Sequence, residues 1–135
     1  MPNVVVAIGT RPDVIKMRPL IDLLWKDPDF KTMVWWSGQG KDLQDGEILP
    51  IEASTGGVNW KTGCLSVGIG ETIKAFGNYL KKAQEQIEID AVIVHGDDGT
   101  AFACGLAAWQ EEIPVAHVEA GLRTHNPYSP WPEEM

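Results

Sequence analysis

Short apolar runs alternating with stretches of helical period set the reading of this chain. Residues 3–8, NVVVAI, form a continuous β-branched run closed by Gly9, the pattern of a strand buried on both faces of a parallel sheet. After the turn GTRPD, the apolar positions Val14, Met17, Ile21 and Leu24 recur at spacings of three and four. Pro12 suits the first turn of the helix they predict, and Pro28 lies past its end. KTMVWWS at 31–37 reads as a second strand. The stretch from Gly38 to Gly68 mixes glycine, charge and turn residues: GQGKDLQDGE reads as a loop with a short helix, ASTGGVNWKTG as turns, and Leu65–Val67 as a short third strand. Ile73, Phe76, Leu80, Ala83 and Ile87 then mark an amphipathic helix over 71–88. AVIVHG, opened by Asp90, is a fourth strand. Asp98 is placed to cap a helix that runs to about Gln110, and IPVAHV at 113–118 is a fifth strand.

The order β-α-β-(α)-β-α-β-α-β predicts an α/β fold with a doubly wound, mostly parallel sheet. Functional groups in such sheets collect at the carboxyl ends of the strands, near the point where strand order reverses.

Composition narrows the classes without naming one. A chain of 135 residues with 44% hydrophobic and 22% charged positions fits a single domain with a real core rather than disorder. A formal net charge of -8 argues against a nucleic-acid partner, since that affinity comes from basic side chains displacing counterions. Cys64 and Cys104 are far apart and have no zinc-ligand spacing, so both read as free buried thiols and no metal is expected. The run Val4–Ile8 is too short for a signal-peptide core and nothing approaches a membrane span, so a cytoplasmic protein without membrane contact is expected. The six tryptophans read mostly as core.

The loops after the first, fourth and fifth strands read GTRPDVIK, HGDDGT and EAGLRTHNPYSPWPEE, and the sheet rule sends all of them to one crevice. They supply the cations Arg11, Lys16 and Arg123 and the carboxylates Asp97, Glu119, Glu133 and Glu134. Positive charge in a first helical turn opposes the helix dipole, so Arg11 and Lys16 call for an anionic partner. Asp97 and Asp98 read either as a cap and its neighbour or as paired acids beside a histidine, and spacing does not choose. His95 and His117, set in or beside apolar strands, read as hydrogen-bonded core histidines. Neither GxGxxG nor GxxxxGK[ST] occurs, so phosphate recognition would fall to basic side chains.

GTRPDVIKMRPL at 9–20, VHGD at 94–97, PVAHVEAGLRT at 114–124 and YSPWPEE at 128–134 resemble, in order and spacing, the non-hydrolysing UDP-N-acetylglucosamine 2-epimerases. The resemblance implies the N-terminal half of a GT-B fold, a Rossmann-like domain facing a second one across a cleft. It implies interconversion of UDP-GlcNAc and UDP-ManNAc without an organic cofactor, by anti elimination of UDP, reprotonation of C2 on the other face and re-addition of UDP. Because the C2 hydrogen is weakly acidic, a carboxylate base must act together with departure of the diphosphate. By the matching blocks the acid/base carboxylates are Asp97, Glu119 and Glu133. Arg11 and Lys16 match the basic pair near phosphate and sugar, with His117 and Arg123 in support.

The chain departs from that pattern in three places. HGDDGT puts Asp98 and Gly99 where the family has hydroxyl residues, adding an anion near the sugar nucleotide. SGQGKDLQD keeps Gln39 but lacks the histidine and arginine associated with an allosteric UDP-GlcNAc site. And the chain stops at PEEM, before the second, UDP-binding domain. The expectation is therefore an N-terminal epimerase segment, 1–135, inactive without its other half; the alternative is a non-catalytic interaction protein that retains the half-fold. A bare edge at the fifth strand predicts self-association or a partner chain, and Pro127–Met135 is expected to be mobile.

Overall fold

A computed structural model describes residues 1–40, 53–55 and 65–135. Along the chain run β1 (Asn3–Ile8), α1 (Arg11–Lys26), β2 (Lys31–Trp36), β3 (Ala53–Thr55), α2 (Leu65–Gln84), β4 (Ala91–His95), α3 (Gly99–Gln110) and β5 (Val115–Val118). The strands form one sheet in the order β3-β2-β1-β4-β5, with every pairing parallel. Strand order reverses between β1 and β4, so the carboxyl ends of these two strands flank the crevice that such a reversal opens.

The all-apolar β1 is needed because helices cover both of its faces. Val5 and Ala7 join Trp35, Val92 and Val94 against Phe76 and Leu80 of α2 and Cys104, Ala107 and Ala108 of α3. Val6 and Ile8 join Val34 and Trp36 against Val14, Met17 and Ile21 of α1. Each fully buried aliphatic side chain contributes roughly 1.5–3 kcal/mol. Trp35 fills the first layer with its ring centroid 4.7 Å from that of Phe76. The small residues of α3 let that helix lie close to both the sheet and α2, as its alanine-rich sequence implies.

Several elements differ from the sequence reading, each for a physical reason. The third strand is Ala53–Thr55, not Leu65–Val67; it exists through parallel pairing with β2, Val34 opposite Ala53 and Trp36 opposite Thr55, which local propensity does not encode. Leu65–Val67 instead opens α2, whose apolar spacing already holds at Ile69, Ile73, Phe76 and Leu80, ahead of the start at Glu71 that the sequence suggests. That helix ends at Gln84 rather than Glu88, and the buried Ile89 follows in the turn to β4. The short helix expected in GQGKDLQDGE falls largely outside the described residues, as do Cys64 and Trp60. Trp35 and Trp36 are core, whereas Trp109 is 71% exposed on the outer side of α3.

β5 is the sheet edge, and all four of its residues are exposed. His117 is accordingly not a core histidine, in contrast to His95, which is buried. The terminal segment is seated on the domain: Pro132 is buried, Trp131 packs edge-on to Phe102, and the Glu134 carboxylate accepts the Thr124 and His125 N–H groups. Hydrogen bonds and an aromatic contact thus tie down a stretch that chain position alone marks as loose. No described helix is long and apolar enough to cross a membrane.

Candidate active site

Pairing of β1 with β4, Val4 opposite Ala91 through Val6 opposite Ile93, sets the loop after β1 beside the loop after β4. Pairing of β4 with β5, Val94 opposite His117 and His95 opposite Val118, adds the start of the third loop. A continuous line of polar side chains crosses these strand ends. Asp13, in the first turn of α1, accepts the Gly9 and Thr10 N–H groups on Oδ2, both at 2.9 Å. The Thr10 bond is half of a capping box and would be present in a purely structural helix start. Its other oxygen, Oδ1, lies 2.8 Å from His95 Nδ1. His95 Nε2 lies 2.8 Å from Glu119 Oε2, and Lys16 Nζ donates to both Glu119 oxygens at 3.0 and 3.1 Å. The anion that the basic first turns of α1 call for is therefore Glu119.

This line constrains protonation. A neutral imidazole has one N–H, so two carboxylate partners are satisfied together only by an imidazolium or by a proton on one carboxyl. For Asp13, burial alone would raise the pKa; hydrogen bonds from Asp98, Thr10, His95 and Gly9 outweigh it and hold the carboxyl below its usual value. Glu119 is held low first by its hydrogen bond to Lys16 and then by that to His95. Glu119 is also one of the few non-glycine residues with left-handed backbone, φ 60°, a conformation that persists only where its surroundings enforce it. Glycines with positive φ sit beside it, Gly96 at 73° and Gly121 at 106°.

A cavity of about 280 Å³ opens on the α3 side of β4 and β5, and Asp97, Asp98, Phe102, His117, Pro132 and Glu133 contribute to its wall. Its volume is just below the roughly 300–1,000 Å³ of pockets that bury drug-sized ligands. His117 Nε2 donates to Gly96 O at 2.7 Å, which fixes the ring at the cavity wall. Asp98 caps α3 through a 2.8 Å bond from Ala101 N–H and also accepts from Thr10 Oγ1 at 3.3 Å. The cap reading of Asp98 thus holds, and burial, followed by the nearby charge of Asp13, pushes its carboxyl pKa up to about 8.

Of the residues singled out from sequence, Lys16 and Glu119 come together in one cluster and Asp97, His117 and Glu133 in the adjoining cavity. Arg11 is exposed and makes no ion pair among the described residues. Arg123 turns back to the carbonyl of Leu122 at 2.9 Å and adds its charge to those acting on Glu134. Asp13 is the residue that sequence reasoning missed, and His95 is more than a core histidine. The available signal was topological: His95 ends β4, Asp13 follows β1, and adjacent parallel strands bring such positions together. Among the described residues no three His, Cys, Asp or Glu side chains gather in a geometry that could hold a metal ion.

A family model described as UDP-N-acetylglucosamine 2-epimerase matches residues 25–135. The chain is 40% identical over 132 residues to the UDP-N-acetylglucosamine 2-epimerase of Escherichia coli K12, covering 98% of this chain and 35% of that protein. It is 37% identical over 133 residues to the enzyme of that name in Bacillus subtilis, again spanning 35% of its length. Among solved structures, UDP-GlcNAc 2-epimerase from Neisseria meningitidis bound to UDP-GlcNAc superposes with a TM-score of 0.82 at 35% identity, over 98% of this chain and 36% of that one. The Methanocaldococcus jannaschii enzyme in complex with UDP-GlcNAc and UDP gives 0.79 at 28% identity, over 98% and 36% of the two chains. The chain therefore spans about a third of the length of the relatives it matches.

Proposed function

Because the chain belongs to the UDP-N-acetylglucosamine 2-epimerase family, we propose that it forms the sugar-facing side of a cytoplasmic site interconverting UDP-GlcNAc and UDP-ManNAc. Its role is proton transfer at C2 during elimination and re-addition of UDP. The observation that carries this reading is the division of the carboxylates: Asp97 and Glu133 line the cavity with His117, while Glu119 is held in a separate setting by Lys16 and His95. Inversion at C2 needs one group to remove the proton and another to return it from the opposite face, and carboxylates in unlike environments meet that need. Arg11 and Lys16, on the first turns of α1, are placed for the leaving diphosphate, where cations offset developing charge. No step in this reading requires an organic cofactor.

The small cavity supports a division of labour in which the uridine and diphosphate are gripped by a second domain like that in the other two thirds of the relatives' length. The test is C2 deuterium exchange and UDP-GlcNAc to UDP-ManNAc conversion, with the pure chain and with that remaining portion added. Exchange on complementation, reduced about 10²-fold or more by Asp97→Asn or Glu133→Gln, is the expected result. Absence of exchange in every combination would refute it. That outcome would favour a non-catalytic interaction protein, a reading supported by the bare β5 edge with Val115 and Val118 exposed. The same edge supports self-association, which sedimentation tests directly.

A further inference from the structure

Glu119 and Glu133 stand on different stretches of chain, the first opening the loop after β5 and the second on the terminal segment beyond it. One side chain joins the two stretches. The Glu134 carboxylate accepts the N–H groups of both Thr124 and His125 on a single oxygen, Oε1, the second at 3.1 Å. Two consecutive N–H groups turned to one side make a small anion-binding concavity, and bonds from backbone N–H to a carboxylate are stronger than those between neutral groups. The mount is itself fixed: the Thr124 hydroxyl donates to Asn126 O at 3.0 Å and accepts Asn126 N–H at 3.2 Å. His125, between them, holds left-handed backbone, φ 59°, a conformation that persists where its surroundings enforce it.

Glu133 lies between two anchors of different kinds. Before it, Pro132 is buried and the Trp131 ring lies edge-on to Phe102, centroids 6.3 Å apart, beside Ile69 and Ala103. After it comes the Glu134 carboxylate on the Thr124–His125 N–H groups. The Glu133 side chain lines the cavity, and its direction there follows from a backbone held on both sides rather than from a partner on its own carboxylate.

We propose that Glu134 is a positioning residue: through the Thr124 and His125 N–H groups it fixes Glu133 at the cavity wall and locks the terminal segment to the loop that starts at Glu119. Its relevance to proton transfer at C2 rests on the function proposed above; the positioning itself does not. Without this tie the Trp131 contact still seats the segment. The backbone after Pro132 is then left with two turn bonds, Glu133 N–H to Pro130 O at 3.1 Å and Met135 N–H to Pro132 O at 2.8 Å. Both lie within the segment and hold it to nothing else.

The test is ¹⁵N relaxation in the 135-residue chain, comparing wild type, Glu134→Ala and Glu134→Gln. In wild type the Trp131 and Glu133 amides should both be rigid, with order parameters near about 0.85; in Glu134→Ala the Glu133 value should fall below about 0.6 while Trp131 keeps its own. Glutamine retains an oxygen that accepts both N–H groups, so Glu134→Gln should keep Glu133 close to wild type. That rescue separates positioning from a general loosening of the chain end. Glu133 equally rigid in all three chains, Trp131 and Glu133 loosened together, or a glutamine variant as loose as the alanine one would each overturn the proposal. Where complementation restores C2 exchange, the rates should follow the same order. Glu134→Ala should be slower by up to about 10²-fold, the scale of a misplaced catalytic group, and equal rates would overturn the proposal too. The relaxation measurement needs no turnover, so a chain without exchange in any combination would refute the proposed function while the order parameters still decide on Glu134.

Discussion

Gly9 ends β1 at the point where three parts of the site meet, and replacing it with alanine is a stringent check on that geometry. Its N–H holds Asp13, while the position of an added Cβ is 2.1 Å from Thr100 Oγ1, 2.5 Å from Thr100 Cβ and 3.0 Å from Gln39 Oε1. Thr100 is 1% exposed and sits in the first turn of α3, so it cannot swing into solvent. Forcing it aside is overpacking, worth about 1–3 kcal/mol. It also breaks the 2.6 Å bond between the Ser37 and Thr100 hydroxyls and the 2.7 Å bond from Thr100 to Gln39, each worth about 1 kcal/mol net. The total is about 3–5 kcal/mol, a large share of the roughly 5–15 kcal/mol that stabilises an ordinary domain.

At about 4 °C per kcal/mol for a chain of this size, Gly9→Ala should lower the thermal midpoint by about 12–20 °C. The sign is informative, since an unstrained glycine-to-alanine change would instead stabilise by about 0.4–1 kcal/mol through the unfolded chain. Circular dichroism melts of Gly9→Ala, Thr100→Gly and the double variant close the cycle. Thr100→Gly removes both clashing atoms, so the double variant should recover part of the loss, with a coupling above about 1 kcal/mol. A Gly9→Ala chain that melts at or above the parent temperature, or two changes that simply add, would refute the packing described here.

Other consequences concern charge and the chain end. Because burial pushes the Asp98 pKa up to about 8 from the ordinary 3.8 of an aspartate, the folded chain keeps a proton that the unfolded chain loses. Stability is therefore greatest below pH 4 as far as this group is concerned and falls toward pH 8, with a slope of up to about 1.4 kcal/mol per pH unit. Urea midpoints at pH 5, 6, 7 and 8 should decline in wild type more steeply than in Asp98→Asn, and equal slopes would count against a raised Asp98 pKa. Lys16→Met should barely shift the melting temperature, because the pair with Glu119 is exposed, yet it should raise the Glu119 titration midpoint seen by NMR. Trp131→Ala removes the edge contact with Phe102; limited proteolysis should then cut within 127–135 sooner, with the core fragment unchanged.

The elements that sequence marked well are those whose pattern is local. NVVVAI is a strand because every residue from Val4 to Ile8 is buried, and the Asp98 cap is readable because the side chain bonds within its own first turn. AST at 53–55 was not readable as a strand. Nothing in those small residues requires extension until β2 lies alongside, and the pairing partners, Val34 and Ala53, are far apart in sequence. The LSV triplet misled for the complementary reason, since three residues cannot display a helical period.

The site divides along the same physical line. Asp97, Glu119 and Glu133 stand in blocks that resemble a known family, whereas Asp13 and His95 each had a sufficient local explanation, a helix-start acid and a strand histidine. Their joint meaning arises only across the β1–β4 pairing. That pairing turns a capping acid into the anchor of His95, and His95 into one of two groups that hold Glu119 ionised at a left-handed backbone position. Asp97 and Glu133 receive no such support and face the cavity instead. The three carboxylates are therefore not interchangeable: Glu119 is fixed in charge and direction by groups that do not line the cavity.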